Sequence, residues 1–205
     1  MSKRVHPTKA LLIATTVTLL DTKLPNEIAV DEILEASGIS KGSLYHHFED
    51  LGELLEIAQV ERYAAWVDRS VDALVQMIST VKTREDLIHG LKVITRFTQD
   101  PKYSHTRFQR ARAIASAEHN PRFKKRLAEE QMRLTEALID LINEARNKGL
   151  YASDFDAHAG AVLVQAYTLG MIVDDFVEIR WIQKPGIHLL IKLSIESFLF
   201  DVKHA

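Results

Sequence analysis

The sequence predicts an all-α fold of about nine helices: an N-terminal three-helix head carrying a helix-turn-helix, and a C-terminal helical body. Three observations predict it. Apolar residues recur at spacings of three and four along most of the 205 residues, the period of a helix with one buried face. No stretch reads convincingly as a strand. Helix breakers fall between the periodic stretches, at Pro25, Gly38, Pro101, Pro121, Gly149 and Pro185-Gly186.

The first helix spans roughly 7–21, with Leu11, Leu12, Val17, Leu19 and Leu20 as its apolar residues. A polar loop with Pro25 and Asn26 follows. Val30, Ile33 and Leu34 give the second helix its apolar face, and Asp31 and Glu32 suit the positive end of its dipole. Gly38 can take the left-handed cap conformation cheaply. Ile39 fills the corner, and Ser40 is a good N-cap for the third helix. Asp50 and Glu53 form a capping box for a fourth helix running from Leu51 through Trp66 to about Ser79.

Thr83 caps a fifth helix that ends near Asp100-Pro101. A sixth covers about 104–118. Asn120 and Pro121 start a seventh, which reaches Gly149. Ser153 opens an eighth, roughly 154–182, and a ninth fills 187–202. There is no repeat and no flexible linker. The expected division is a helix-turn-helix head over residues 1–50 and a helical body over 51–205.

Composition narrows the function classes. Apolar residues are 46%, charged residues 26%, and the formal net charge is −2, so the chain is no general polycation. Residues 1–50 hold five Lys/Arg against seven Asp/Glu. Attraction to a polyanion would therefore have to come from local placement of charge. The absence of cysteine excludes disulfides, thiolate nucleophiles and Cys-based metal sites. No apolar run is long enough to span a membrane, and Ala10–Leu20, interrupted by Thr15, Thr16 and Thr18, reads as a buried helix rather than a leader. The expected location is the cytoplasm.

The third helix carries the most chemistry. At about 100° per residue, Leu44 and Phe48 point to the core together, while Gly42, Ser43 and His46 point away. Tyr45 and His47 flank them, and Lys41 sits at the N-terminal end. Glycine permits close backbone approach. Serine and histidine can bond base edges or phosphates, and lysine, tyrosine and helix-start N–H groups can hold phosphates.

The run Gly38-Ile39-Ser40-Lys41-Gly42-Ser43-Leu44-Tyr45-His46-His47-Phe48 resembles the DNA-binding motif of TetR-type bacterial regulators. The resemblance is close over residues 30–48 and weaker around them. It implies DNA contacts at Lys41, Gly42, Ser43, Tyr45, His46 and His47. It also implies a homodimer through the helices near 154–182 and 187–202, a palindromic double-stranded operator, and a small-molecule effector that releases the DNA. Two positions depart from the family pattern. Ala29 replaces the usual threonine, and Leu51-Gly52 stand where Lys-Glu is usual. The N-terminal Lys3 and Arg4 are candidates to supply the missing phosphate contacts.

The body adds weaker signals. The 154–182 and 187–202 stretches are apolar on most sides, which demands burial, and Gly160 and Gly170 permit close helix approach. Phe97, Tyr167 and Met171 are the candidate effector-pocket residues. Asp174 and Asp175 are expected to be exposed, the alternatives being a carboxylate that binds a cationic ligand or pairs with Arg180. Arg107, Arg110, Arg112, Arg122, Lys124, Lys125 and Arg126 are expected on a solvated face paired with acids such as Glu118, Glu129 and Glu130, the alternative being a site for an anionic effector or extra phosphates.

The nine histidines form no metal-ligand spacing. No catalytic signature, cofactor motif or phosphate loop is present. The resulting expectation is a ligand-released repressor without catalytic residues, metal or cofactor. The alternatives are a DNA-binding protein governed by a protein partner, with no ligand pocket, and, less favoured, a helical enzyme.

Overall fold

The structure is a computed structural model that describes residues 6–150 and 156–176. Among these residues it is all-helical, with no strand. Eight α-helices occur: α1 (Pro7–Leu19), α2 (Val30–Ser37), α3 (Lys41–His47), α4 (Leu51–Thr80), α5 (Arg84–Gln99), α6 (Ser104–Ala117), α7 (Pro121–Asn147) and α8 (Ala157–Gly170). Short 3-10 turns occur at Pro25–Glu27, Pro101–Tyr103 and Met171–Phe176. The expected ninth helix, 187–202, and Lys3, Arg4, Ser153 and Arg180 lie outside the described residues.

The chain forms two compact units. The first comprises residues 1–66 and 116–130, and the second residues 67–115 and 131–205.

The core of the first unit is built by α1, α2, α3 and the start of α4. Leu12, Leu20, Ile28, Ile33, Leu44, Phe48, Leu54 and Ala58 form one buried cluster. Ile39 packs against it from the turn. Leu11, expected to contribute an apolar face, is 46% exposed. Thr16 is fully buried, yet its hydroxyl donates to the Leu12 carbonyl at 2.8 Å, so burial leaves no orphan donor.

Local rules set the helix ends here. Gly38 has φ +68°, the left-handed conformation that an L-residue resists. Ser40 caps α3, its hydroxyl accepting from the Ser43 N–H at 3.3 Å. Ala29 caps α2 without any side-chain bond. The α4 box is shifted by one residue. Asp50 accepts from the Glu53 N–H at 2.6 Å, and the Glu53 carboxylate accepts from the Glu49 N–H at 2.8 Å.

In the second unit, Thr83 and Asp86 make a reciprocal capping box at the start of α5. Gly149 ends α7 at φ +71°, with the Leu150 N–H closing back on the Ala145 carbonyl at 2.9 Å. The eighth helix is shorter than expected. It is capped by Asp156, which accepts from the His158 and Ala159 N–H groups. It ends at Gly170, where the backbone tightens into the 3-10 turn Met171–Phe176.

That turn explains a correction. Asp175, expected to be exposed or to pair with Arg180, has a buried side chain. Arg107 on α6 grips it through two bonds of 2.6 Å, and both side chains are nearly inaccessible. Arg107 also donates to the Thr98 carbonyl at 2.8 Å. The basic cluster is therefore not one solvated face: Arg107 and Arg110 are buried, and Arg112, Lys124 and Lys125 are exposed.

Candidate nucleic-acid interface

The turn between α2 and α3 is tight because Gly38 and Ser40 stop one helix and start the next. Leu44 and Phe48 then lock α3 onto α1 and α2, at 0% and 2% exposure. This leaves the opposite side of α3 outward. Lys41, Gly42, Tyr45 and His46 are exposed, and Ser43 and His47 are half-buried. A Cβ built on Gly42 would meet nothing within 4 Å, so nothing within the chain requires a glycine there.

The structure brings a group of side chains to this side that sequence reading missed. His6, the N-cap of α1, places its ring 4.8 Å from that of His47. The His46 ring lies 5.1 Å from that of His47. Lys9 of α1 sits 5.1 Å from the centre of the Phe48 ring, a cation–π contact. Partial burial, and then the charges of His6, His46 and Lys9, hold His47 below the ordinary imidazole value. The adjacency of His46 and His47 was legible in the sequence, but the approach of His6 required the packing of α1 on α3. Among the described residues, no group of three or more His, Asp or Glu is placed to hold a metal ion.

The segment after α3 is acidic, and its charge is met from α7. Arg122 contacts Glu49 at 3.0 Å, Asp50 at 3.8 Å and Glu56 at 2.8 Å. Arg126 contacts Glu53 at 3.0 Å. Asn120 donates to the buried Glu56 at 2.6 Å. The carboxylates, Glu56 first, raise the Arg122 pKa above its ordinary value. The Glu49 N–H, and then Arg126 and Arg122, hold Glu53 below the usual carboxylate range against the opposing effect of burial. These arginines were expected to pair with Glu118, Glu129 and Glu130; Arg122 and Arg126 meet Glu49 and Asp50 ahead of α4 and Glu53 and Glu56 in its first turns.

The three candidate pocket residues are all in the second unit. Tyr167 accepts a 2.6 Å bond from the amide of Gln99, which is 2% exposed, and partial burial raises its phenol pKa. Phe97 is 56% exposed and packs on Tyr103, with Lys102 over both rings. Met171 opens the 3-10 turn and is half-buried. Val162, Leu163 and Val164 of α8 are exposed. Among the described residues, no helix is long and apolar enough to cross a membrane.

No protein-family model matches the chain, and no curated protein matches it. Solved structures do. One described as a TetR-family transcriptional regulator from Mesorhizobium loti is 17% identical, with 96% of this chain and 97% of that one covered and a TM-score of 0.71. A TetR-family transcriptional regulator from Cytophaga hutchinsonii is 17% identical, with 96% of each chain covered and a TM-score of 0.65. The fatty acid degradation regulator FadR from Bacillus halodurans is 15% identical, with 99% and 100% covered and a TM-score of 0.60. At such identities the likeness is one of fold: this chain folds as the TetR-family transcriptional regulators do.

Proposed function

We propose that the protein is a DNA-binding transcriptional regulator without catalytic activity, acting as a homodimer on a two-fold symmetric operator. The observation that carries this reading is the two-sidedness of α3. Leu44 and Phe48 anchor it, and Lys41, Gly42, Ser43, Tyr45, His46 and His47 lie on the sides left over. A recognition helix needs this arrangement to enter a major groove. The open space at Gly42 supports it, since a groove or phosphate outside the chain supplies the close approach that the chain itself does not. Lys41 and Tyr45 hold phosphates, and Ser43 and His46 read base edges.

Dimerisation is assigned to α8 together with the apolar 187–202 stretch. The outward Val162, Leu163 and Val164 support it. The second unit is assigned as the sensor of an apolar small molecule, with Phe97, Tyr167 and Met171 contributing to its site. Ligand favours the form that does not hold DNA, which makes the protein a repressor.

Fluorescence anisotropy with a labelled duplex tests the head. Lys41→Ala and Tyr45→Ala weaken binding to every sequence alike, whereas Ser43→Ala changes the preference among sequences. Equal, non-selective binding by all three variants and the unaltered protein would remove the assignment.

A further inference from the structure

We propose that His6, His46 and His47 form a proton-linked phosphate contact, so that the head takes up protons when it binds DNA and binds more tightly as pH falls. The proposal rests on the reading of α3 as a DNA-binding helix and adds to it a contact from α1, through His6, and a dependence on pH.

The geometry is a cluster of imidazoles, with the His47 ring centre 4.8 Å from that of His6 and 5.1 Å from that of His46. Histidine titrates near neutrality. Three such rings beside an ammonium group repel one another when charged, and His47, between partial burial and these neighbours, is held below the ordinary imidazole value. His6 shows one such constraint directly: its Nδ1 accepts the Thr8 N–H at 3.3 Å, which requires that nitrogen to be unprotonated. Lys9 adds standing positive charge from the same helix.

A phosphate brought to the cluster reverses the balance. Its negative charge offsets the repulsion, and each ring that gains a proton gains a charge-assisted bond to an oxygen, with His6 giving up its bond from the Thr8 N–H in exchange. No electron moves and no covalent bond to carbon changes; a solvent proton adds to an imidazole nitrogen and is released when DNA leaves. His47 lies in the last turn of α3, where the helix dipole also favours positive charge.

The surrounding charges are consistent with this sign. From α1 come His6 and Lys9, and from α3 itself His46 and Lys41. Glu49 and Asp50 follow α3, but Arg122 engages both. On α2, which packs on α1, Glu32 is paired with Lys23 at 2.5 Å, and Asp31 and Glu35 are exposed.

The test is binding of the full-length protein to a fluorescein-labelled duplex enriched from a random-sequence pool, at constant ionic strength from about pH 7.5 to 5.5, a window around the ordinary histidine pKa of about 6.5. One linked proton sets a ceiling of tenfold in affinity per pH unit, and we expect a rise of at least about threefold per unit. Calorimetry in two buffers of different ionisation enthalpy should show net proton uptake. His6→Gln and His47→Gln should flatten the pH profile and reduce the uptake, while His158→Gln, in the second unit, should change neither. A flat profile for the unaltered protein, or a profile unchanged in the double variant His6→Gln/His47→Gln, overturns the proposal and leaves the DNA-binding reading standing. Failure to bind any duplex at any pH overturns both.

Discussion

Arg107 and Asp175 are joined by two bonds of 2.6 Å, from Nε to Oδ2 and from Nη2 to Oδ1, with their side chains 4% and 3% exposed. The pair ties α6 to the 3-10 turn after α8, across 68 residues of sequence. Burying either charge alone is expensive, because the lost hydration has no replacement. Arg107→Met or Asp175→Leu alone should therefore destabilise the protein by about 3–5 kcal/mol. The double variant Arg107→Met/Asp175→Leu should lose much less than the sum of two single substitutions. Urea unfolding of all four proteins measures this, and strict additivity would show that the pair is not coupled.

The two glycines of the helix-turn-helix should respond oppositely. Gly38→Ala places a Cβ on a residue at φ +68° and should cost about 1–2 kcal/mol of stability. Gly42→Ala meets open space within an α-helix and should be neutral or stabilising by up to about 1 kcal/mol. Yet Gly42→Ala should weaken DNA binding, because the methyl group intrudes where the duplex approaches. Denaturation midpoints and duplex titrations of the same two variants separate the effects.

Acid should loosen the first unit. The folded Glu53 carboxyl titrates below its ordinary value, held there first by the Glu49 N–H and then by Arg126 and Arg122. The unfolded chain therefore binds the proton more readily than the folded one. The resulting stability is present above the ordinary carboxylate range and is lost as pH falls through the lowered folded value. Thermal unfolding should show a midpoint that drops between about pH 4.5 and pH 3, in the carboxylate range. Glu53→Gln should show a smaller drop.

The effector assignment predicts a selective loss. Tyr167→Trp or Met171→Trp should blunt the response to ligand while leaving operator binding and dimerisation intact. Comparison of ligand-induced release from DNA with sedimentation of the same variants tests it. A response unchanged in both variants would place the sensing residues elsewhere.

Val164→Glu tests the assembly. The side chain is 44% exposed in the single chain, so a charge there is tolerated by the fold itself. If α8 lies in the dimer seam, sedimentation at micromolar concentration should show a monomer. A dimer of unchanged stability would exclude that face.

What was legible in the sequence was what local chemistry decides. Gly38, Ser40, Leu44 and Phe48 each occupy the role their residue type and spacing imply, because caps and turns depend on neighbours within a few residues. The fate of charge was not legible, because it depends on partners far along the chain. Arg107 and Arg110 lie on the same buried face of α6 as Ala113 and Ala117. That stripe of two arginines and two alanines at spacings of three and four was the available signal. The end of α8 was missed for a related reason. Apolar residues continue past Gly170, so the pattern shows no stop. His6 entered the α3 surface by tertiary packing alone.

The central claim is that α3 reads DNA, and the most direct measurement is selection of duplexes by the purified protein from a random-sequence pool, followed by sequencing. The account predicts enrichment of a two-fold symmetric site, its half-sites spaced by about one helical turn or a multiple of it, and loss of that enrichment in Ser43→Ala/His46→Ala. A pool that returns with no enriched sequence, or an enrichment that the double variant reproduces, would contradict it.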